Sequence, residues 1–239
     1  MKKTIEAKEI LRQLNCKFNL NFNDCLDIVQ NEPLEEIIYL SKAISSYSKI
    51  FLKNNKEINP AQKEICLIID EIFIDINCSI YFFACGIDIP AQMLLRRSLE
   101  LGIGFIYLWD LPHVFYAWTD LNKDLIFQKM IEHLNSEEYK ILINKINHSF
   151  DYKNTQMIDD TIAKELYRDL SNVIHGKMFT FESGIPQRFK FIQEDYDKGI
   201  ALIKKIELLL LDLWNKRFQD IGYHLLKSYP KIENILNKL

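Results

Sequence analysis

Glycine and proline are scarce, with seven and six among 239 residues. Hairpins and tight turns consume both, so the shortage excludes a turn-rich β architecture and favours long regular elements. The five cysteines are odd in number and include no Cys-x-x-Cys pair. That excludes a zinc ribbon or a disulfide framework and fits a reducing, cytoplasmic setting. There is no basic excess: the formal net charge is −3, so any attraction for nucleic acid has to come from a local patch. No apolar stretch follows Lys2 and Lys3, because Glu6, Lys8 and Glu9 interrupt it, and no secretory signal is expected. The most apolar run, Ile65 to Gly86, carries Asp70, Glu71 and Asp75. A membrane span does not hold three acids at its centre, so no membrane partner is expected either.

What is present is helical periodicity. Hydrophobic residues make up 48% and charged residues 26% of the chain, ordinary values for a globular domain. Residues 1 to 31 read as an N-terminal appendage, with a short helix from Thr4 to Leu14. Residues 32 to 239 read as a single all-α bundle of six to eight helices. Pro33 starts a helix that runs to Asn54, and Pro60 opens another that Gly86 stops after Cys85. From Pro90 to Asp110 the sequence is apolar on most sides, which marks a central helix, and Gly102 and Gly104 within it suit close approach of a neighbour. After the Leu111-Pro112 break, helical spacing continues from Val114 to Leu134, and Ser136 to Glu138 reads as a capped start leading to Ile146. The last long helix extends from Glu194 or Asp195 to Leu226.

The segment from Lys164 to Gly176 is the candidate for chemistry. Positions seven apart lie nearly above one another on a helix, so Arg168 and His175 share a face with Asn172 between them. Leu166, Leu170, Val173 and Ile174 form the apolar side, and Gly176 suits a left-handed C-terminal cap. An arginine beside an imidazole, a group that titrates near neutrality, fits phosphate chemistry. In the central helix, Arg96, Arg97 and Glu100 are the only charges between Pro90 and Asp110. Either arginine is at contact spacing with Glu100. The two readings are an internal ion pair, or an arginine that reaches a substrate phosphate or orients His175. After Gly176, Lys177, Arg188 and Lys190 supply local positive charge, and Phe179, Phe181, Phe189 and Phe191 either stack on bases or anchor the loop. No His or Glu cluster has metal-ligand spacing, so no metal or cofactor is expected. A second arginine-histidine pair, Arg217 and His224, has Phe218 where a small polar residue is wanted, and is read as a coincidence.

Arg168-Asp169 followed by His175, in the context Leu170-Ser171-x-x-Ile174-His175-Gly176, resembles the motif of the HEPN superfamily of helical ribonucleases and nucleotide-binding domains. Arg97-Ser98-Leu99-Glu100 is similar to a segment of some bacterial members, and the resemblance covers residues 60 to 225. It implies a HEPN-like bundle and metal-independent cleavage of RNA that leaves 2′,3′-cyclic phosphate ends. His175 would act as acid or base and Arg168 would stabilise the phosphate, with Asp169 or Asn172 orienting them. Arg97, Glu100, Lys177, Arg188 and Lys190 would contact substrate. It also implies a homodimer with a composite site, and a role as a toxin or abortive-infection, antiviral defence effector held by an antitoxin or sensor protein. Lys177 stands where members silenced by a nucleotidyltransferase carry tyrosine, which argues against a modifying antitoxin of that kind. The alternative is a non-catalytic helical module that binds RNA, a nucleotide or a protein partner.

Overall fold

The computed structural model describes residues 2–54, 58–177 and 190–236. Among them, all regular structure is helical. The helices are α1 (Lys2–Ile28), α2 (Asn31–Asn54), α3 (Pro60–Ile65), α4 (Leu67–Ala84), α5 (Asp88–Asp110) and α6 (Pro112–Leu121), then α7 (Phe127–Leu134), α8 (Glu137–Ile146), α9 (Asp160–Ile174), α10 (Gln193–Arg217), α11 (Gln219–Ser228) and α12 (Lys231–Leu236). None of the described helices is long and apolar enough to cross a membrane.

The helices outnumber the expected six to eight because single helical runs in the sequence are divided in space. The run from Pro60 to Cys85 breaks at Cys66 into α3 and α4. The run from Val114 to Leu134 is interrupted after Leu121, where Asn122 adopts a left-handed backbone with φ of 50°. The last long run breaks at Phe218, which has φ −120° and ψ 67°. No glycine or proline marks that place. The Phe218 ring is instead drawn into an aromatic cluster, 4.8 Å from Phe51 and 5.5 Å from Trp109, and packing outweighs local helix propensity. At the other end of the chain, the short helix expected at Thr4 is part of a continuous α1.

Helix α5 is the centre, packed against α4, α9 and α10. Leu95, Leu99, Ile103, Phe105 and Ile106 on it are fully buried. The approach of α10 depends on Gly102. A Cβ there would stand 2.4 Å from the buried Leu210 side chain, and the Gly102 carbonyl accepts a hydrogen bond from the Trp214 indole at 2.9 Å. The Trp214 carbonyl in turn accepts the Tyr47 hydroxyl of α2 at 2.9 Å. These two bonds tie α2, α10 and α5 together through one residue, Trp214.

A carboxyl also lies inside this contact. Glu207 of α10 is fully buried, its Oε1 accepts the Ser41 hydroxyl of α2, and its Oε2 has no partner. Burial pushes the Glu207 carboxyl well above its ordinary 4.5, with the Ser41 hydrogen bond opposing and nearby Glu36 adding to the rise. The folded protein therefore holds this proton more tightly than the unfolded chain. Its contribution is complete below the ordinary value and is lost as pH rises above it, by up to about 1.4 kcal/mol per pH unit.

Two stability predictions follow from these contacts. Glu207→Gln removes the titration, so the variant gains on wild type as pH is raised from 4.5; denaturant melts whose difference stays constant with pH would refute it. Gly102→Ala overpacks the α5–α10 contact and costs about 1–3 kcal/mol. A Cβ at Gly104 meets only ordinary neighbours, at 3.4 and 3.6 Å, so Gly104→Ala is neutral or stabilising by up to about 1 kcal/mol. Equal thermal shifts in the two glycine variants would contradict the packing account.

Candidate functional site

Helix α9 begins at Asp159, whose carboxylate accepts the Ile162 amide at 2.9 Å, the capping expected of the Asp159–Thr161 stretch. Ala163, Leu166 and Leu170 bury its inner side. Val173 and Ile174, expected to complete the apolar face, are only half-buried. The helix ends as the sequence implied. His175 is the C-cap, Gly176 has φ of 57°, the Gly176 amide donates to the Val173 carbonyl, and the Lys177 amide donates to the Asn172 carbonyl, both at 3.1 Å. This paired closure is a Schellman motif, and it relies on the left-handed glycine.

At about 100° per residue, α9 presents three sides in addition to its buried one. Directly opposite the core lie Arg168, Asn172 and His175. The Arg168 and Asp169 side chains are 66% and 71% exposed and 3.7 Å apart, too far and too wet for the pair to matter much. His175 and Lys177 are exposed and Asn172 is half-buried. Asp169 turns to the next side, where it lines a groove of about 770 Å³ between α9 and α10 together with Glu165, Leu208 and Asp212.

The remaining side of α9 holds Tyr167. Its ring stacks on Phe127 of α7 with centroids 4.0 Å apart and planes 12° from parallel. Arg96 of α5 donates to the Tyr167 hydroxyl at 2.9 Å and to Glu100 Oε1 at 3.3 and 3.2 Å. Its guanidinium carbon also lies 4.7 Å from the Tyr167 ring centre, within cation–π range. The Arg96 side chain is only 16% exposed. The arginine that reaches the motif helix is thus Arg96, and it takes Glu100 with it.

Arg97, named from the sequence as a substrate contact, faces α4. Its Nη1 donates to both Asp75 oxygens at 2.8 and 2.9 Å, and its Nη2 donates to Glu71 at 2.7 Å. Asp75 is buried, and burial raises its carboxyl pKa despite the opposing Arg97 charge. Lys190 is exposed, and its carbonyl lies against the α4–α5 turn, 2.7 Å from where a Gly86 Cβ would be. Arg188, Phe179, Phe181 and Phe189 lie outside the described residues. Phe191 is buried beside Tyr196 and anchors the chain. Of the nine residues singled out in sequence, the structure gathers Arg168, Asn172 and His175 on one face, with Asp169 beside them. Tyr167 was missed, and of the two arginines that the sequence placed at contact spacing with Glu100, it is Arg96 that bonds both Glu100 and the motif helix.

The second arginine-histidine pair is divided by the break at Phe218. Arg217 forms a fork on Asp110, Nε to Oδ2 at 2.9 Å and Nη2 to Oδ1 at 2.6 Å, and Tyr139 donates to the same carboxylate at 2.6 Å. Burial drives the Tyr139 hydroxyl far above its ordinary pKa and lowers that of neighbouring His133. His224 is exposed on α11 and shares with Arg217 the lining of a cavity of about 390 Å³. The Arg217 charge there is already neutralised by Asp110. Among the described residues, no group of three or more His, Cys, Asp or Glu side chains is placed to hold a metal ion.

No family model matches the chain, and no curated protein and no solved structure matches it.

The cap at the end of α9 is open to test. Gly176→Ala places a Cβ in left-handed backbone and costs about 1 kcal/mol, whereas Gly176→Asn, which tolerates that conformation, costs less. Denaturation curves with alanine no worse than asparagine would show that the closure contributes nothing.

Proposed function

We propose that this chain is a HEPN-type endoribonuclease that cleaves RNA without a metal. The supporting observation is the common outward face of Arg168, Asn172 and His175, held at the end of a helix whose opposite side is locked into the core. In the reaction, the His175 imidazole takes the proton from a ribose 2′-hydroxyl. The freed oxygen attacks the adjacent phosphorus, the P–O2′ bond forms, and the P–O5′ bond breaks. A second imidazole returns a proton to the leaving 5′-oxygen, giving a 2′,3′-cyclic phosphate and a 5′-hydroxyl. Arg168 holds the non-bridging oxygens and offsets the charge that develops on them. Asn172, and Asp169 from the edge of the face, orient the pair.

One copy supplies one His175. An open face also lacks walls to exclude water or fix a substrate, and a homodimer with two α9 helices opposed would provide both the second imidazole and the missing wall. The biological setting that goes with this reading is a toxin or an abortive-infection, antiviral effector restrained by an antitoxin or sensor protein. Tyr167 and Arg96 belong to the reading as positioning residues, since they fix the rotation of α9 on α5.

Purified protein incubated with total RNA in EDTA is expected to release fragments with cyclic phosphate ends. His175→Ala abolishes the cleavage and Arg168→Ala lowers it by about 10²–10³-fold, the scale of losing one charge-stabilising contact. Cleavage that survives both substitutions would refute the site. No cleavage by wild type, with RNA still retained in a filter-binding assay, would favour a non-catalytic RNA-binding module.

A further inference from the structure

Helix α1 is amphipathic along its length, but only its second half is seated. Leu11, Leu14 and Phe18 fall within about 40° of Cys25 around the helix axis. At the seated end, Cys25 is buried, Asn21 donates to the Cys85 carbonyl at 2.7 Å, and Phe22 packs on Tyr81 with centroids 5.5 Å apart. The same stripe then runs off the body. Leu11 is 66% exposed, Leu14 38%, and Ile10 at its edge 58%. Three large aliphatic side chains left in water over two turns form a patch, unlike isolated surface hydrophobes. This half is also cationic: Lys8, Arg12 and Lys17 stand against Glu9, a net of +2 over residues 8 to 17.

The groove between α9 and α10 has the matching chemistry. Leu166, Leu208 and Leu209 form its floor, and Ile162 stands at its lip. Asp159, Glu165, Asp169 and Asp212 surround them, against Lys205 and Lys216, a net of −2. Lys216 is already bound to Asp212 at 2.6 Å. An apolar trough with an acidic rim is the complement of an apolar stripe with a basic edge, and a helix laid in such a groove is a common recognition mode.

We propose that the first half of α1 from one copy lies in the α9–α10 groove of a second copy, with the exchange made in both directions. Both partners of the contact are present on every chain, and reciprocal exchange closes it into a two-fold dimer. Asp169 borders both this groove and the outward face of α9, but the contact uses none of Arg168, Asn172 and His175 and does not require the ribonuclease reading.

Light scattering after gel filtration, over a dilution series at low salt, tests it. Wild type is expected to be a dimer. Leu11→Asp with Leu14→Asp, Lys8→Glu with Arg12→Glu, and Glu165→Lys with Asp212→Lys should each weaken association at least tenfold, and circular dichroism should show each variant folded. Combining the acidic α1 pair with the basic groove pair should restore the dimer. A monomeric wild type would overturn the proposal, as would a dimer sensitive to α1 but not to the groove. Monomers that instead bind vesicles containing phosphatidylserine through α1 would overturn it too. The assay involves no RNA, and all variants keep Arg168, Asn172 and His175, so its outcome is separable from that of the cleavage experiment.

Discussion

The Trp214 indole, donating to the carbonyl of Gly102, is the contact on which the bundle depends. It sets how closely α10 lies on α5, and the missing Cβ at Gly102 makes that distance possible. From the same residue, the carbonyl bonded to Tyr47 holds α2 in place. Phe105 and Tyr47 pack against the indole at 5.3 and 5.2 Å. A tightly packed aromatic centre of this kind tolerates little change in volume. Everything that positions α9, including Arg96 on α5, is referred to that centre.

Polar groups in the interior are treated unequally. Asp110 is gripped by the Arg217 fork, and both oxygens of Asp75 accept from one nitrogen of Arg97, so each has a cation beside it under cover. Glu207 has only a hydroxyl on one oxygen, and its environment favours the neutral acid. Burial without a counter-charge is compatible with folding because a proton can be taken up, which is far less costly than burying a bare carboxylate.

The sequence revealed the periodicity of the helices, the central position of α5, the Asp159 cap and the left-handed closure at Gly176, because each follows from local residue chemistry. It did not reveal the break at Phe218 or the interruption after Leu121. The first is imposed by partners far away in the chain, Phe51 and Trp109, and the second rests on a left-handed backbone at Asn122 that no glycine announces. At the candidate site, helical phase sufficed to place Arg168, Asn172 and His175 together. Choosing between Arg96 and Arg97 required knowing which neighbour each would meet. Spacing alone allowed Glu100 to pair with either, and only the presence of Asp75 on α4 draws Arg97 away.

Helix α9 is held at its middle and closed at its end by different means. Tyr167, stacked on Phe127 and bonded to Arg96, is a firm anchor. The last turn is secured by backbone bonds through Gly176, with Val173 and Ile174 only half-covered. Local opening of such an end needs far less free energy than global unfolding and occurs on fast timescales. Arg168 adjoins the anchor while His175 rides on the tip. The separation between cation and imidazole is therefore an adjustable quantity, one that a bound strand or an opposing helix can set without disturbing the rest of the bundle.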